Sequence, residues 1–473
     1  MLSQLRWKDC WPLLRQIEFY KTTFQDEVTR VRPQEMSDAN MPPPKSGVQE
    51  WPLAALLFLA VLMLFVWRSH RPAEISSGEI TAPWTTAAAR EEKRRTTLEA
   101  TINRNLNLPL TPEADRRWES FLGAVKWQAD RRPEVLAAVR RRLQMPPLPP
   151  RTKGQALETQ RLALETAYGL FPTELEPEMR AVFMTDHDPK RLGMAGAWLV
   201  RFDGSAAHRS ALLGTLTQRF PNWKSEPRLL ALGTELNDPR ARVIDQRPPL
   251  ADLLKAPFDG RPVVFSFQRV DRQFLGRAVV RHANGSFLLG PDGAPFSVTQ
   301  FALSASGLPG TLTNGNTPCG IFEITEISTT RNTAIGPSET LILGLPLEYD
   351  RTWTAGRYEA LLPAPWRNWW PIREAWWAGL AGRNEILAHG TAIDPAPWMS
   401  TVFAGQTPSH GCLTCDETWD PATGRRATSE QAKLVDALRR AGGAPGYLVL
   451  VEVDDQSKPV SVNEVTALLK DGR

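Results

Sequence analysis

The sequence predicts an α+β protein in which an all-α region is followed by a mostly-β domain, with a single transmembrane helix ahead of both. Three observations carry this. Residues 51–67 contain no charge, are bounded by Glu50 and Arg68, and have a tryptophan at each end, Trp51 and Trp67, as a short membrane span would. Residues 90–245 repeat apolar side chains at helical spacing, with prolines between the repeats. From Pro248-Pro249 onward the pattern becomes short β-branched and aromatic runs separated by turn residues.

Residues 1–50 mix aromatic and balanced charged side chains and end in Met41-Pro42-Pro43-Pro44, which reads as a short cytoplasmic tail with a stiff end. Arg68-Ser69-His70-Arg71 follows the span at 51–67 and offers no small-residue cleavage site, so an uncleaved anchor is expected. Residues 68–89 are small and polar and predict a stalk. Within 90–245, helices are expected at 154–169, 177–184, 189–201, 206–219 and 226–236, and their punctuation by proline fits either a repeat-like, HEAT-like stack or a plain helical bundle. The arginines between 90 and 142 are interspersed with acids and read as solvated helix faces.

Residues 250–455 predict strands at 262–268, 275–281, 286–289, 298–304, 320–327, 340–345 and 384–388. Asn284-Gly285 forms a tight turn between two of them, because both residues tolerate positive φ. A helix at 428–441 stops at Gly442-Gly443, and a buried strand follows at 446–453. The last helix, within 456–473, opens on a capping box of Ser461 and Glu464.

Composition narrows the function. A chain of 473 residues has room for two or three domains, and its net charge of +4 is too small to argue for nucleic acid. Four cysteines in this length do not make a disulfide scaffold, but Cys319, Cys412 and Cys415 all fall in the β half.

Chemistry concentrates in Ser409-His410-Gly411-Cys412, which follows His389-Gly390-Thr391. A thiol and an imidazole held together suffice for thiol acyl transfer: the thiolate attacks a carbonyl, and the imidazole takes the thiol proton and returns it to the leaving amine. Gly390 and Gly411 let backbone approach a substrate, and the amides of Gly411 and Cys412 could face an oxyanion. Two other readings use the same residues. His389, His410, Cys412 and Cys415 could hold zinc, although the two separated knuckles of a zinc finger are lacking. Cys412-Leu-Thr-Cys415 could be a redox pair, although no βαβ context surrounds it.

His389-Gly390-Thr391 with Ser409-His410-Gly411-Cys412 resembles the signature of the L,D-transpeptidases of bacterial peptidoglycan. Leu303-Ser304-Ala305-Ser306-Gly307 and Thr317-Pro318-Cys319-Gly320-Ile321-Phe322 are similar to that family's Ser-x-Gly and Thr-Pro-x-Gly-x-Phe strands. The resemblance implies an L,D-transpeptidase-like catalytic domain over 250–455. Cys412 would be its nucleophile and His389 its base, oriented by the Gly390 carbonyl, with His410, Ser409 and Thr391 shaping the pocket. Thr414 stands where the family has Arg or Asn to contact substrate. Trp377, just before the strand that ends at His389, would line the acceptor cleft. Donor and acceptor would be peptidoglycan stem peptides, joined through a Cys thioester. No cofactor and no metal would be needed. Water in place of the amine would make a carboxypeptidase or hydrolase, and a silent site would leave a cell-wall scaffold. The resemblance further implies a single-pass inner-membrane protein, held through 51–67, with its catalytic domain in the periplasm. In that compartment a Cys319–Cys415 disulfide would brace the nucleophile loop. The partner of the helical region stays open.

Overall fold

Apolar side chains at every third or fourth position between 87 and 237 form stripes that leave water only by packing helix on helix. α1 (Ala87–Glu92) buries no side chain; the helices that do so are α2 (Ala100–Asn105), α3 (Asp115–Gln128), α4 (Pro133–Leu143), α5 (Gln155–Leu170), α6 (Glu176–Thr185), α7 (Pro189–Phe202), α8 (Ala206–Arg219) and α9 (Pro227–Asn237). Proline opens four of them at the position where the missing N–H costs nothing. Asp188 caps α7 and Ser205 caps α8, each accepting from an amide three residues on. α3 packs on α5, α4 on α5, α6 on α7, and α7 on α9. Their shared core is centred on Trp118, Phe121, Phe183 and Trp198.

These coordinates are a computed structural model that describes residues 80–149, 154–237 and 246–471. The described residues belong to one compact unit. After α10 (Leu250–Lys255) come the strands β1 (Val263–Arg269), β2 (Gly276–Arg281), β3 (Val298–Phe301), β4 (Gly320–Ser328), β5 (Thr340–Gly344), β6 (Ile386–His389) and β7 (Leu413–Cys415). With β10 (Gly446–Asp454) they close a barrel in the order β1-β10-β4-β5-β6-β7-β3-β2. β8 (Glu417–Trp419) and β9 (Arg426–Ser429) form a separate ribbon. Besides α10, the described residues of this half form α11 (Ala355–Ala360), α12 (Glu374–Leu380), α13 (Glu430–Ala441) and α14 (Val462–Asp471).

β10 shows why the barrel holds. Tyr447, Val449 and Val451 join the core of Trp366 and Trp376, while Leu448 and Leu450 join the core of Phe322, Leu341 and Leu438 of α13. A strand buried on both faces reads as a continuous apolar run, as this one does from Tyr447 to Val451, and the buried Glu452 that follows is paired with Arg272 at 2.9 Å. The Asn284-Gly285 turn forms, with the Ser286 carbonyl accepting from His282 N at 2.8 Å. The capping box forms too, Ser461 N donating to Glu464 at 2.8 Å.

Several expectations need correction. The second half is not mostly β: α10 to α14 and several 3-10 turns interleave with the strands. The two halves are not consecutive layers either, because Leu308 and Leu312, from the β half of the sequence, complete the helical core. The expected transmembrane helix at 51–67 and the tail at 1–50 lie outside the described residues. Among the described residues, no helix is long and apolar enough to cross a membrane, so the single-span reading has no support here. Residues 80–89 are not a free stalk: Ala82 is buried and its amide donates to Gly424 O at 2.8 Å.

Candidate functional site

β6 and β7 run parallel with Ala388 opposite Leu413 and His389 opposite Thr414. The register puts Cys412 at the entry of β7, beside Leu387, with His389 two residues further along the neighbouring strand. Local sequence cannot produce this pairing; closure of the barrel does. The Cys412 thiol is half-buried, accepts from Leu387 N at 3.4 Å and donates to Glu385 O at 3.6 Å. Burial pushes it up to about 11, with the Leu387 amide and the Arg383 guanidinium pulling the other way.

His389 is buried, and its Nδ1 meets the Gly390 carbonyl. A carbonyl can only accept, so the proton sits on Nδ1 and the lone pair on Nε2. Burial pushes this imidazole down to about 4, so it is neutral at neutral pH. Thiol and imidazole both rest uncharged, which fits a general base rather than a standing thiolate–imidazolium pair.

Ser409 shapes the nucleophile turn. Its hydroxyl donates to Cys412 O at 2.7 Å and accepts from Gly411 N at 2.9 Å. The Gly411 amide is therefore occupied, and the expectation that it faces an oxyanion is corrected. Ser409 also bonds through its backbone to Leu303 and Ala305, tying the turn to the Ser304–Gly307 loop. Gly411 has φ +112°, and a Cβ there would strike the Arg383 guanidinium.

Arg383 is the residue that sequence reasoning missed. It is buried, and its guanidinium donates to the carbonyls of Gly310, Gly315 (2.6 Å) and Asn316 (2.7 Å). No carboxylate lies within ion-pair distance of it among the described residues. Burial lowers it to about 10, which leaves it charged at neutral pH. A buried cation packed on the residue before Cys412 favours negative charge there. The only signal in the sequence is a lone arginine at the entry of an otherwise apolar strand.

The remaining expected residues are placed as follows. His410 is exposed and stacks on Trp127 of α3, ring centres 4.9 Å apart. Loss of water around the ring, then Lys126 and Arg161, push its imidazole down. Gly390 is glycine because a Cβ would collide with the carboxylate of Glu417, which is itself buried and bonded to Ser338 and Ser429. Thr391 bonds Thr407 at 2.8 Å and braces the loop between them. Thr414 is buried in β7 with its hydroxyl toward Thr407 O at 3.5 Å. Trp377 stacks on Trp370 (5.8 Å) beside Arg373, and none of its described contacts reaches Cys412 or His389.

The expected disulfide is absent: Cys319 and Cys415 are free and fully buried. Cys319 accepts from Arg272 at 3.2 Å, whereas Cys415 faces Gln300 at 3.8 Å, so each sulfur has its own polar partner. His410 on Trp127 and Cys415 on Gln300 also point away from a shared zinc, and no group of three metal-ligating side chains converges among the described residues.

A cleft of about 530 Å³ opens beside this site, between α3, α5 and the Ser304–Gly307 loop. Lys126, Arg201, Arg272, Ser304, Trp398 and Pro408 are on its walls; Cys412 and His389 are not. It borders the nucleophile turn at Pro408 rather than containing the thiol. No family model, no curated protein and no solved structure matches this chain.

Proposed function

We propose that this protein is a thiol acyltransferase of the L,D-transpeptidase type that acts on peptidoglycan stem peptides. The observation that supports the reading is the β6–β7 register, which brings Cys412 next to Leu387 on the strand that carries His389 two residues further on, its Nδ1 turned to the Gly390 carbonyl and its Nε2 left as the basic nitrogen. On this reading the thiol turns from the Glu385 carbonyl, and Nε2 takes its proton. The sulfur then attacks the amide carbon before the terminal D-residue of a stem tetrapeptide. The Cys412 amide and the Arg383 cation face the oxyanion. As the C–N bond breaks, the imidazolium returns the proton to the departing amine, leaving a thioester. The side-chain amine of a diaminopimelate on a second stem attacks that thioester; the new amide forms and the thiol is restored. The substrate places the folded unit on the periplasmic side of the inner membrane.

The reading is tested with a carbapenem, whose β-lactam carbonyl acylates such a thiol. Intact-mass measurement should show a stoichiometric adduct that is lost in Cys412→Ala. No adduct on folded protein would leave a wall-binding scaffold instead. Incubation with purified tetrapeptide muropeptides then separates transfer from hydrolysis: cross-linked dimers are expected, and tripeptides alone would mean that water is the acceptor.

A further inference from the structure

The helical layer contains a pocket of about 310 Å³ that the acyl-transfer site does not use. Its floor and walls come from the end of α4, the middle of α5, α6 and the start of α7. Most of the lining is apolar, with Pro146, Pro147, Leu164 and Val182 among it. Set into that lining are charged side chains that are at least nine-tenths buried: Arg142, Arg191 and Glu178.

Among the described residues, these three are incompletely satisfied. Arg142 donates one N–H to Asp115 at 2.7 Å, which leaves Nε and Nη1 without a partner. Arg191 grips Asp186 through Nε at 2.7 Å and Nη2 at 2.8 Å, which leaves Nη1 without one. Glu178 uses one carboxylate oxygen for Gln144 (3.1 Å) and Arg140 (3.3 Å); Oε2 has none. Unpaired buried donors and acceptors are costly and rare, and here they collect at one pocket. Donors and acceptor are both on offer, so the complementary ligand carries both charges. The volume is at the lower end for small-molecule sites, which suits a single small molecule rather than a nucleotide or a glycan.

We propose that this pocket binds a free amino acid with an apolar side chain: its carboxylate takes the open guanidinium N–H groups of Arg142 and Arg191, its ammonium goes to Glu178, and its side chain rests on Pro146, Pro147 and Val182. Binding couples to nothing at Cys412 for its test, so the proposal stands or falls separately from the acyl-transfer reading.

The test is calorimetric titration of the full chain with leucine, either enantiomer. Isocaproate, which lacks the ammonium, and isoamylamine, which lacks the carboxylate, serve as controls. Saturable binding of leucine is expected, with both controls weaker by about tenfold or more. Ala181 is exposed at the pocket's rim, so Ala181→Trp should plug the pocket and abolish the heat without disturbing the fold. Glu178→Gln should weaken leucine about tenfold and leave isocaproate where it was. Absence of saturable leucine binding at millimolar concentration overturns the proposal. So does isocaproate binding as well as leucine, or unchanged leucine binding in Ala181→Trp. Should that variant fail to fold by circular dichroism, Glu178→Gln decides alone.

Discussion

At the scale of single residues, the Cys412 thiol and the His389 imidazole rest neutral, and the surroundings that keep them so can be measured. Replacing Arg383 by Met should raise the pKa of Cys412 further, so alkylation by iodoacetamide should slow several-fold at a fixed pH near 8. Arg383→Lys should recover part of the rate, because it keeps the charge but loses the planar fork that spans three carbonyls. An unchanged rate in Arg383→Met would make Arg383 purely structural. His389 gives a stability signature. Its folded value of about 4 lies below the unfolded value of about 6.5, so folding favours the neutral ring. Stability from this group is complete above about pH 6.5 and falls as pH drops toward 4, by on the order of 3 kcal/mol once protonation is complete. Urea midpoints at pH 7 and pH 4.5 should show that fall, and His389→Gln should flatten it. The motif itself was legible because Ser409, His410, Gly411 and Cys412 are contiguous. Trp127 reaches His410 from an element far away in sequence, and Arg383 and Glu417, though close in sequence to His389 and Cys412, carry no local pattern that marks them.

At the scale of elements, α3 does more than fill the helical core. Its end delivers Trp127, which stacks on His410 and meets Trp398 edge-on at 6.1 Å. It also delivers Lys126, buried against Glu165 of α5 at 2.7 Å; Glu165 in turn accepts from Asn314 at 3.1 Å. The nucleophile turn is thus clamped from the helical side. Aromatic stacks contribute about 1 kcal/mol beyond burial, so Trp127→Ala should cut turnover or carbapenem acylation by roughly three- to tenfold. Its far-ultraviolet circular dichroism should match wild type; a loss of helix signal would mean that Trp127 only holds the fold. The helices of 155–237 were readable because their apolar period persists over ten or more residues. β7, β8 and β9 were not, since three or four residues leave no period to detect. The tryptophan-rich α12 and its 3-10 turns escaped for a related reason: Trp366, Trp370 and Trp377 look alike in sequence, and only packing separates the buried Trp366 from its half-buried neighbours.

At the scale of the whole molecule, the join between the halves is made by Leu308 and Leu312, which are 0% and 3% exposed in the helical core. Leu308→Ala should cost about 2–5 kcal/mol, as other buried leucines do. It should shift a single unfolding transition, seen alike by tryptophan fluorescence and circular dichroism, rather than split it in two. Two separate transitions in the wild type would show that the layers fold independently. The break in composition near Pro248-Pro249 is real in the sequence, but it marks a change of secondary structure and not a boundary of the fold. Hydrophobic pattern reports which period a segment follows; it does not report whose core the segment enters.

The clamp on the nucleophile turn has a consequence for anyone cutting the gene. A fragment that begins at the first strand would carry the full Ser409–Cys412 motif and still lack the tryptophan beneath His410, the glutamate that accepts from Asn314, and the surface that covers Leu308. Such a fragment would possess every residue that a motif search can see and would lack the wall against which they are set.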